Sequence, residues 1–267
     1  MTYLERFFKS SKGLLTEYYL FAVSIVVLLF VWELLTRVFS IPPYILPPPS
    51  KVLVKIFTFR GLLISHAWVT IREIIAGFVL GSVIGITISI SMFYSRKFEK
   101  IMYPYIISSQ VFPKEALAPL FIVWLGLGIL PKIVIAALIS LFPMIINTYR
   151  GLKTTDPVLI DVMHSLSARE PQIFFKLRLP GALPYIFSAF KICVTLSVIG
   201  AIVGEFVGSG AGLGHLIQVA QAEFSTDLIF ASLFVIGVIG LLLFVLVEVL
   251  ERVFLRKHEK IVSYGLR

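Results

Sequence analysis

The chain has 267 residues, of which 58% are hydrophobic and only 15% charged; a soluble domain holds roughly 45–50% apolar and about 25% charged residues, so the excess implies a lipid-facing surface. The net charge of +9 is carried by bases lying between apolar runs and not in any nucleic-acid-reading motif, which excludes a nucleic-acid partner and fits basic loops at a membrane surface. With Cys193 as the only cysteine, neither an intrachain disulfide nor a cysteine-based metal site can form.

A membrane-spanning helix needs about 20 mostly apolar residues. After a segment over residues 1–17, the first expected span covers 18–37. It is too long for the apolar core of a signal peptide and no small-residue cleavage site follows, so it reads as a retained helix. The second covers 67–94 and contains the uncharged run Ile74–Tyr94. Gly77, Gly81 and Gly85 line one face of it, either as a seam between two copies or, more simply, as close packing within the bundle. The third, 100–127, is broken at Pro113-Lys114-Glu115. The remaining spans are 131–150, 181–207 and 227–251, followed by a tail over 256–267. That makes an all-α membrane protein with six transmembrane helices. With the N-terminus inside, sixteen Lys and Arg fall in inside segments and four (Lys51, Lys55, Arg60, Lys132) in outside loops, which puts both termini in the cytoplasm.

The connection between the fourth and fifth spans has its own punctuation. Asp156 can cap a helix opened by Pro157 and running to about Leu166. Ser167-Ala168-Arg169-Glu170 has the spacing of a capping box for a second helix, which should run to about Leu179, where Pro180 and Pro184 interrupt. Such a helix pair over 156–179 is either a docking knob or an ordinary amphipathic connector. His164 projects from it as an exposed contact.

Charges inside spans are expensive and usually paired or functional. Arg72, Glu73 and Glu248 lie near span ends and Lys191 near the cytoplasmic end of its span, where snorkelling suffices. Lys114 and Glu115 sit at the Pro113 break; irregular backbone at depth needs protein burial or a cavity, so this break is expected to border a translocation path. Glu205 is either a path or gate residue or a structural hydrogen-bonded contact. The glycines at 208, 210, 212 and 214 lack the Lys-Ser/Thr of a phosphate loop, so no nucleotide site is expected there. They read as an external turn opening a short, gate-like segment, Leu213–Ala222. His66, His215 and His258 are scattered without metal spacing. No nucleophile–base cluster, Gly-x-Ser-x-Gly or His-Glu-x-x-His marks an enzyme, and neither cofactor nor metal site is expected.

Asp161-Val162-Met163, three residues, Ser167, nine residues, Leu177, one residue, Leu179-Pro180 reproduces the spacing of the cytoplasmic loop in permeases of ABC importers: Glu-Ala-Ala, three residues, Gly, nine residues, Ile, one residue, Leu-Pro. Ile45-Leu46-Pro47-Pro48-Pro49-Ser50 resembles the Leu-Pro-x-Pro segment of the nitrate, sulfonate and taurine importer permeases. Phe112–Leu120 with Trp124–Gly128 resembles their broken span. Phe142-Pro143, Asn147-Thr148 and Gly151 resemble the approach to the loop, and Gly204-Glu205 with Gly212-Leu213-Gly214 the end of the fifth span.

The resemblance implies the type I importer permease fold in a bacterial inner membrane. It implies two permeases, expected to be identical, above two copies of a separate ATPase, with an extracytoplasmic binding protein delivering the solute. It assigns ATPase coupling to Asp161, Val162, Met163, His164, Ser167, Ala168, Arg169, Leu177 and Pro180. Pro113, Lys114, Glu115, Pro119, Glu205, Gly212 and Gly214 are the path or gate candidates. Nitrate, sulfonates and thiamine- or riboflavin-related heterocycles are the solute classes it suggests. Ser167 stands where the family has a glycine between the two helices: either the serine takes a left-handed backbone there, or the turn is built differently with Ser167 as a cap. A gradient-driven secondary transporter is the alternative reading, disfavoured because no repeat relates the two halves and the helix pair would have no use.

Overall fold

The computed structural model describes residues 23–264, with side chains described as far as Leu255. The expected cytoplasmic segment 1–17, the start of the first span and the last tail residues lie outside the described residues. Every regular element among the described residues is helical. In chain order they are α1 (23–38), α2 (Pro49–Thr58), α3 (Arg60–Tyr94), α4 (Arg96–Ser108), a 3-10 turn (Lys114–Leu117), α5 (Ala118–Leu125), α6 (Ile129–Lys153), α7 (Pro157–Ser165), α8 (Glu170–Ile173), α9 (Leu179–Gly208), α10 (Leu213–Ala222) and α11 (Thr226–Tyr264). By length and composition α3, α6, α8 running on into α9, and α11 can each cross a membrane. The first expected span falls partly outside the described residues. The third is divided among α4, the 3-10 turn and α5.

The chain forms two compact units, one containing residues up to Gly61 with Val219–Ala231, the other Leu62–Gln218 with the chain from Ser232 onward. In the first unit, Glu33 caps α2 from across the sequence. Its Oε2 accepts from Ser50 N at 3.0 Å, and its Oε1 from Ser50 Oγ at 2.8 Å and Arg37 Nε at 2.7 Å. Pro48 and Pro49 leave α2 without a local side-chain cap, so a distant carboxylate satisfies its first turn. Lys55 pairs with Asp227 at 3.2 Å, and the Trp32 and Phe230 rings lie 5.3 Å apart. The short α2 was not expected from the sequence, where its stretch reads as an external loop.

The second unit is built on three backbones brought close by small residues. A Cβ at Gly77, Gly81 or Gly85 of α3 would meet Ala136, Ser140 or Met144 of α6. A Cβ at Gly200 or Gly204 of α9 would approach Ala136 Cα at 2.5 Å and Lys132 Cα at 3.0 Å. The glycine face of α3 therefore packs within the bundle. Ile135, Ile139 and Ala118 fill one part of the core, and Met144, Ala189 and Cys193 another. Ser95 caps α4 by accepting from Phe98 N, and Glu99 pairs with Lys153 at 2.7 Å. The hydrogen bond from Lys153 holds the Glu99 carboxyl below the usual glutamate range. Lys191 does not simply snorkel: it pairs with Glu251 at 2.6 Å.

Candidate functional site

Two features outside ordinary helix packing collect the residues singled out above. The first is the α7–α8 pair. Asp156 Oδ1 accepts from Val158 N at 2.9 Å, and Pro157 takes the first turn, as the sequence suggests. At the other end Ser167 N donates to His164 O (2.8 Å) and Ala168 N to Met163 O (3.0 Å). These two bonds form a Schellman stop with Ser167 in the position glycine normally fills. Ser167 has φ +54°, so the left-handed alternative holds. The expected capping role of Ser167 is overturned: Arg169 precedes α8, and its N–H donates to Gln172 Oε1 at 2.8 Å. The left-handed residue turns the chain sharply and delays the next helix by two residues.

The expected stop at Pro180 and Pro184 is also corrected. A π turn, Phe174–Arg178, carries α8 directly into α9, with Pro180 in the first turn of α9 and Pro184 inside it. Glu170–Gly208 is thus one continuous helical run that neither proline ends. Ile173 is fully buried and Phe174 packs with Leu152, Ala182 and Ile186, which anchors the pair to the bundle.

α7 itself buries no residue. Val158 (66% exposed), Val162 (49%) and Leu166 (74%) face outward, an apolar surface on a short helix that the described residues leave uncovered. Asp161, His164, Ser167 and Arg169 are exposed, whereas Met163, Ala168, Leu177 and Pro180 are half-buried. His164 Nε2 lies 3.8 Å from Glu170 Oε1.

The second feature is a buried polar cluster where α3, α6, α9 and α10 meet. Glu205, fully buried near the end of α9, accepts from Thr70 Oγ1 (2.6 Å) and from Gly214 N (2.5 Å). Thr70 Oγ1 in turn accepts from Leu213 N at 2.9 Å. His66 Nδ1, one turn earlier on α3, lies 3.0 Å from Gly212 N, and the His66 and His215 rings stack at 6.2 Å. The first turn of α10 is thus satisfied by side chains of α3 and α9 rather than by a local cap. Gly212 has φ +111°, and a side chain there would collide with the Glu205 carboxylate; at Gly214 a Cβ would come within 2.8 Å of Glu205 Oε2. The glycine pair therefore exists so that backbone can reach a carboxylate.

Glu73 lies one turn beyond Thr70. It is fully buried and pairs with Lys132 at 2.6 Å; Lys132 also donates to Ser209 at 2.7 Å. The sequence reading of Glu73 as a snorkelling residue and of Lys132 as an external loop base is corrected here, since both side chains are interior. Small residues on α9, Gly204 above all, let α6 approach closely enough to bury Lys132. A cavity of about 600 Å³ borders the pair, lined by Arg72, Glu73, Lys132 and the Gly208–Ala211 backbone, among others.

Glu205, Gly212 and Gly214 thus come together. Pro113, Lys114, Glu115 and Pro119 form a separate segment: Pro113 opens the 3-10 turn, Lys114 lies over the Phe142 ring at 4.9 Å, and Glu115 and Pro119 are exposed. Sequence reasoning missed Thr70, His66, Glu73 and Lys132. The four-residue steps His66–Thr70 and Glu73–Gly77 on one helix were the available signal, because they put polar and small residues on the same stripe.

Comparison with known proteins fits this architecture. Residues 77–260 match the family described as binding-protein-dependent transport system inner membrane component. The chain is 33% identical to the formylaminopyrimidine transport permease ThiX of Halalkalibacterium halodurans, over 87% of this chain and 93% of that protein. It is 34% identical to the riboflavin transport system permease RibX of Chloroflexus aurantiacus, over 88% of each chain. To the putative aliphatic sulfonates permease SsuC of Bacillus subtilis it is 30% identical, over 86% of this chain and 84% of that one. The fold is similar to a chain of the inward-facing MetNI methionine ABC transporter, with TM-score 0.65 and 20% identity over 74% of this chain and 98% of that one. The chain therefore belongs to the binding-protein-dependent inner-membrane components, the permeases of ABC importers.

Proposed function

We propose that this permease forms the solute pathway of an ATP-driven importer and receives its power stroke through the α7–α8 pair. Two copies of the chain would enclose the route. Two copies of a cytoplasmic ATPase would seat on the pair, and an extracytoplasmic binding protein would hand over the solute. Both termini and α7–α8 then face the cytoplasm, with α10 toward the opposite side. The observation that carries this reading is the apolar surface of Val158, Val162 and Leu166 on a helix that buries nothing among the described residues. A partner that covers it gains the burial this chain forgoes.

The solute, on this reading, is a small molecule of the vitamin-precursor or sulfonate type for which the similar permeases are named. The segment Pro113–Pro119 borders the route, and the seat of α10 on Glu205, Gly212 and Gly214 serves as its gate. Gradient-driven transport by the chain alone is the competing reading.

The test is co-expression with the neighbouring ATPase and purification through a tag on either partner. Val162→Asp and Leu166→Asp place a charge on the exposed apolar face. Each should reduce recovered ATPase about tenfold or more, as removal of an interface anchor does, while the permease keeps its own melting temperature. Undiminished ATPase recovery in both variants, or solute uptake by the permease alone on an ion gradient, would refute the proposal.

A further inference from the structure

The interior cluster does not balance its charges. Glu73 and Glu205 are both fully buried, and among the described residues the one cation paired with either is the Lys132 ammonium, 2.6 Å from Glu73 Oε1. Thr70 places the two carboxyls together: its hydroxyl donates to Glu205, and Glu73 follows it by one helical turn on the same face of α3. Lys132, the partner of Glu73, packs against Gly204, the residue that precedes Glu205.

The other ionisable groups around them are occupied elsewhere. On α3, His66 engages the Gly212 backbone and exposed Arg72 turns its Nε to Trp68 O at 3.4 Å. On α10, His215 stacks on His66. On α6 there is Lys132 alone, and Ser209 after α9 takes its remaining reach. Among the described residues, no hydrogen bond or ion pair runs from His66, His215 or Arg72 to either carboxyl. With both acids ionised, one negative charge would stand uncompensated in the protein interior, where two adjacent carboxylates cannot both persist.

We propose that Glu73 and Glu205 form a proton-binding site, a carboxyl pair holding one proton between them while α10 is seated. The arrangement of donors favours a proton over a metal cation. Glu205 already accepts from Thr70 and Gly214, and the glycine backbone fills the space beside it so closely that no side chain fits at Gly212. A metal ion would need several more oxygen ligands. A proton needs only the free lone pairs: Glu73 Oε2 takes no hydrogen bond from any donor group among the described residues. With the proton in place the pair reads Lys132 ammonium, Glu73, proton, Glu205, then the Thr70 hydroxyl and the α10 amide. It is electrically neutral, tied to α6 by the Lys132 ion pair and to α10 by the hydrogen bond from Gly214.

The inference concerns the protonation of the pair and stands whether or not the ATPase reading holds, because its readout is spectroscopic. Infrared spectra of the full-length permease in lipid nanodiscs, in light and heavy water, report protonated carboxyl C=O groups by their isotope shift. The wild type should show one such buried group per chain at neutral pH. Glu73→Gln and Glu205→Gln, which keep side-chain volume, should each abolish it, because the remaining carboxylate then pairs with Lys132 alone. Lys132→Met should roughly double the band, since the pair loses its ammonium and takes a second proton; this third variant decides the matter if either Gln variant fails to fold. A wild-type spectrum without the band, a band that survives both Gln substitutions, or a band replaced by sodium-dependent thermal stabilisation would overturn the proposal.

Discussion

Gly212 combines two demands that only glycine meets: a backbone at φ +111° and contact with a carboxylate where Cβ would otherwise lie. Gly212→Ala should lower stability by about 2–4 kcal/mol, the sum of left-handed backbone cost and overpacking, read as a drop in the melting temperature of the purified permease. Ser167 is the opposite case, a non-glycine residue held at φ +54° with no glycine to relieve it. Ser167→Gly should raise stability by about 1 kcal/mol, and an unchanged or lower melting temperature would contradict the strain assigned to that turn. The sequence marks both positions through the resemblance, but it shows the backbone demand only at Ser167. Ser167 stands out because the loop's spacing matches a pattern with glycine there. What Gly212 accommodates depends on Glu205 folding back across the turn, which no local rule predicts.

At the scale of elements, α10 is a ten-residue helix whose first turn is held by His66, Thr70 and Glu205. Glu205→Gln keeps the acceptor for Thr70 but turns an amide N–H toward Gly214 N–H, so the seat loosens without disturbing the bundle. Uptake in the reconstituted importer should fall about tenfold, the worth of one hydrogen bond to a charged group, with the permease–ATPase complex still recovered intact; full uptake would remove Glu205 from the proposed gate. The long apolar helices α3, α6, α9 and α11 could be read from hydropathy because composition alone marks them. The α2 cap could not, since it depends on Glu33 reaching Ser50 seventeen residues away. The passage from α8 into α9 was misread for a related reason. Pro180 looks like a stop, but the π turn before it departs from the regular i→i−4 ladder at that point and the helical run passes through.

For the whole molecule, sidedness is the property most directly open to test. Ser165 ends α7 and is exposed, and Cys193 is buried, so Ser165→Cys adds a single accessible thiol. A membrane-impermeant maleimide should label it in inside-out vesicles and leave it unlabelled in intact cells; the reverse pattern would invert the topology inferred from the basic loops. Hydropathy and charge bias were enough to anticipate a helical membrane protein, but the interior ion cluster was not, because Lys132 beside Pro131 looks like any loop base until α9 closes over it. That closure has a mechanical corollary. Gly77 of α3 and Gly200 of α9 both abut Ala136 of α6, so three main chains touch at one methyl group. Helices joined this tightly have no side-chain cushion to slide on. On the proposed transport reading, a rearrangement that admits a solute would carry α3, α6 and α9 as one stiff strut and hinge at lighter pieces such as α10 and the divided stretch from α4 to α5.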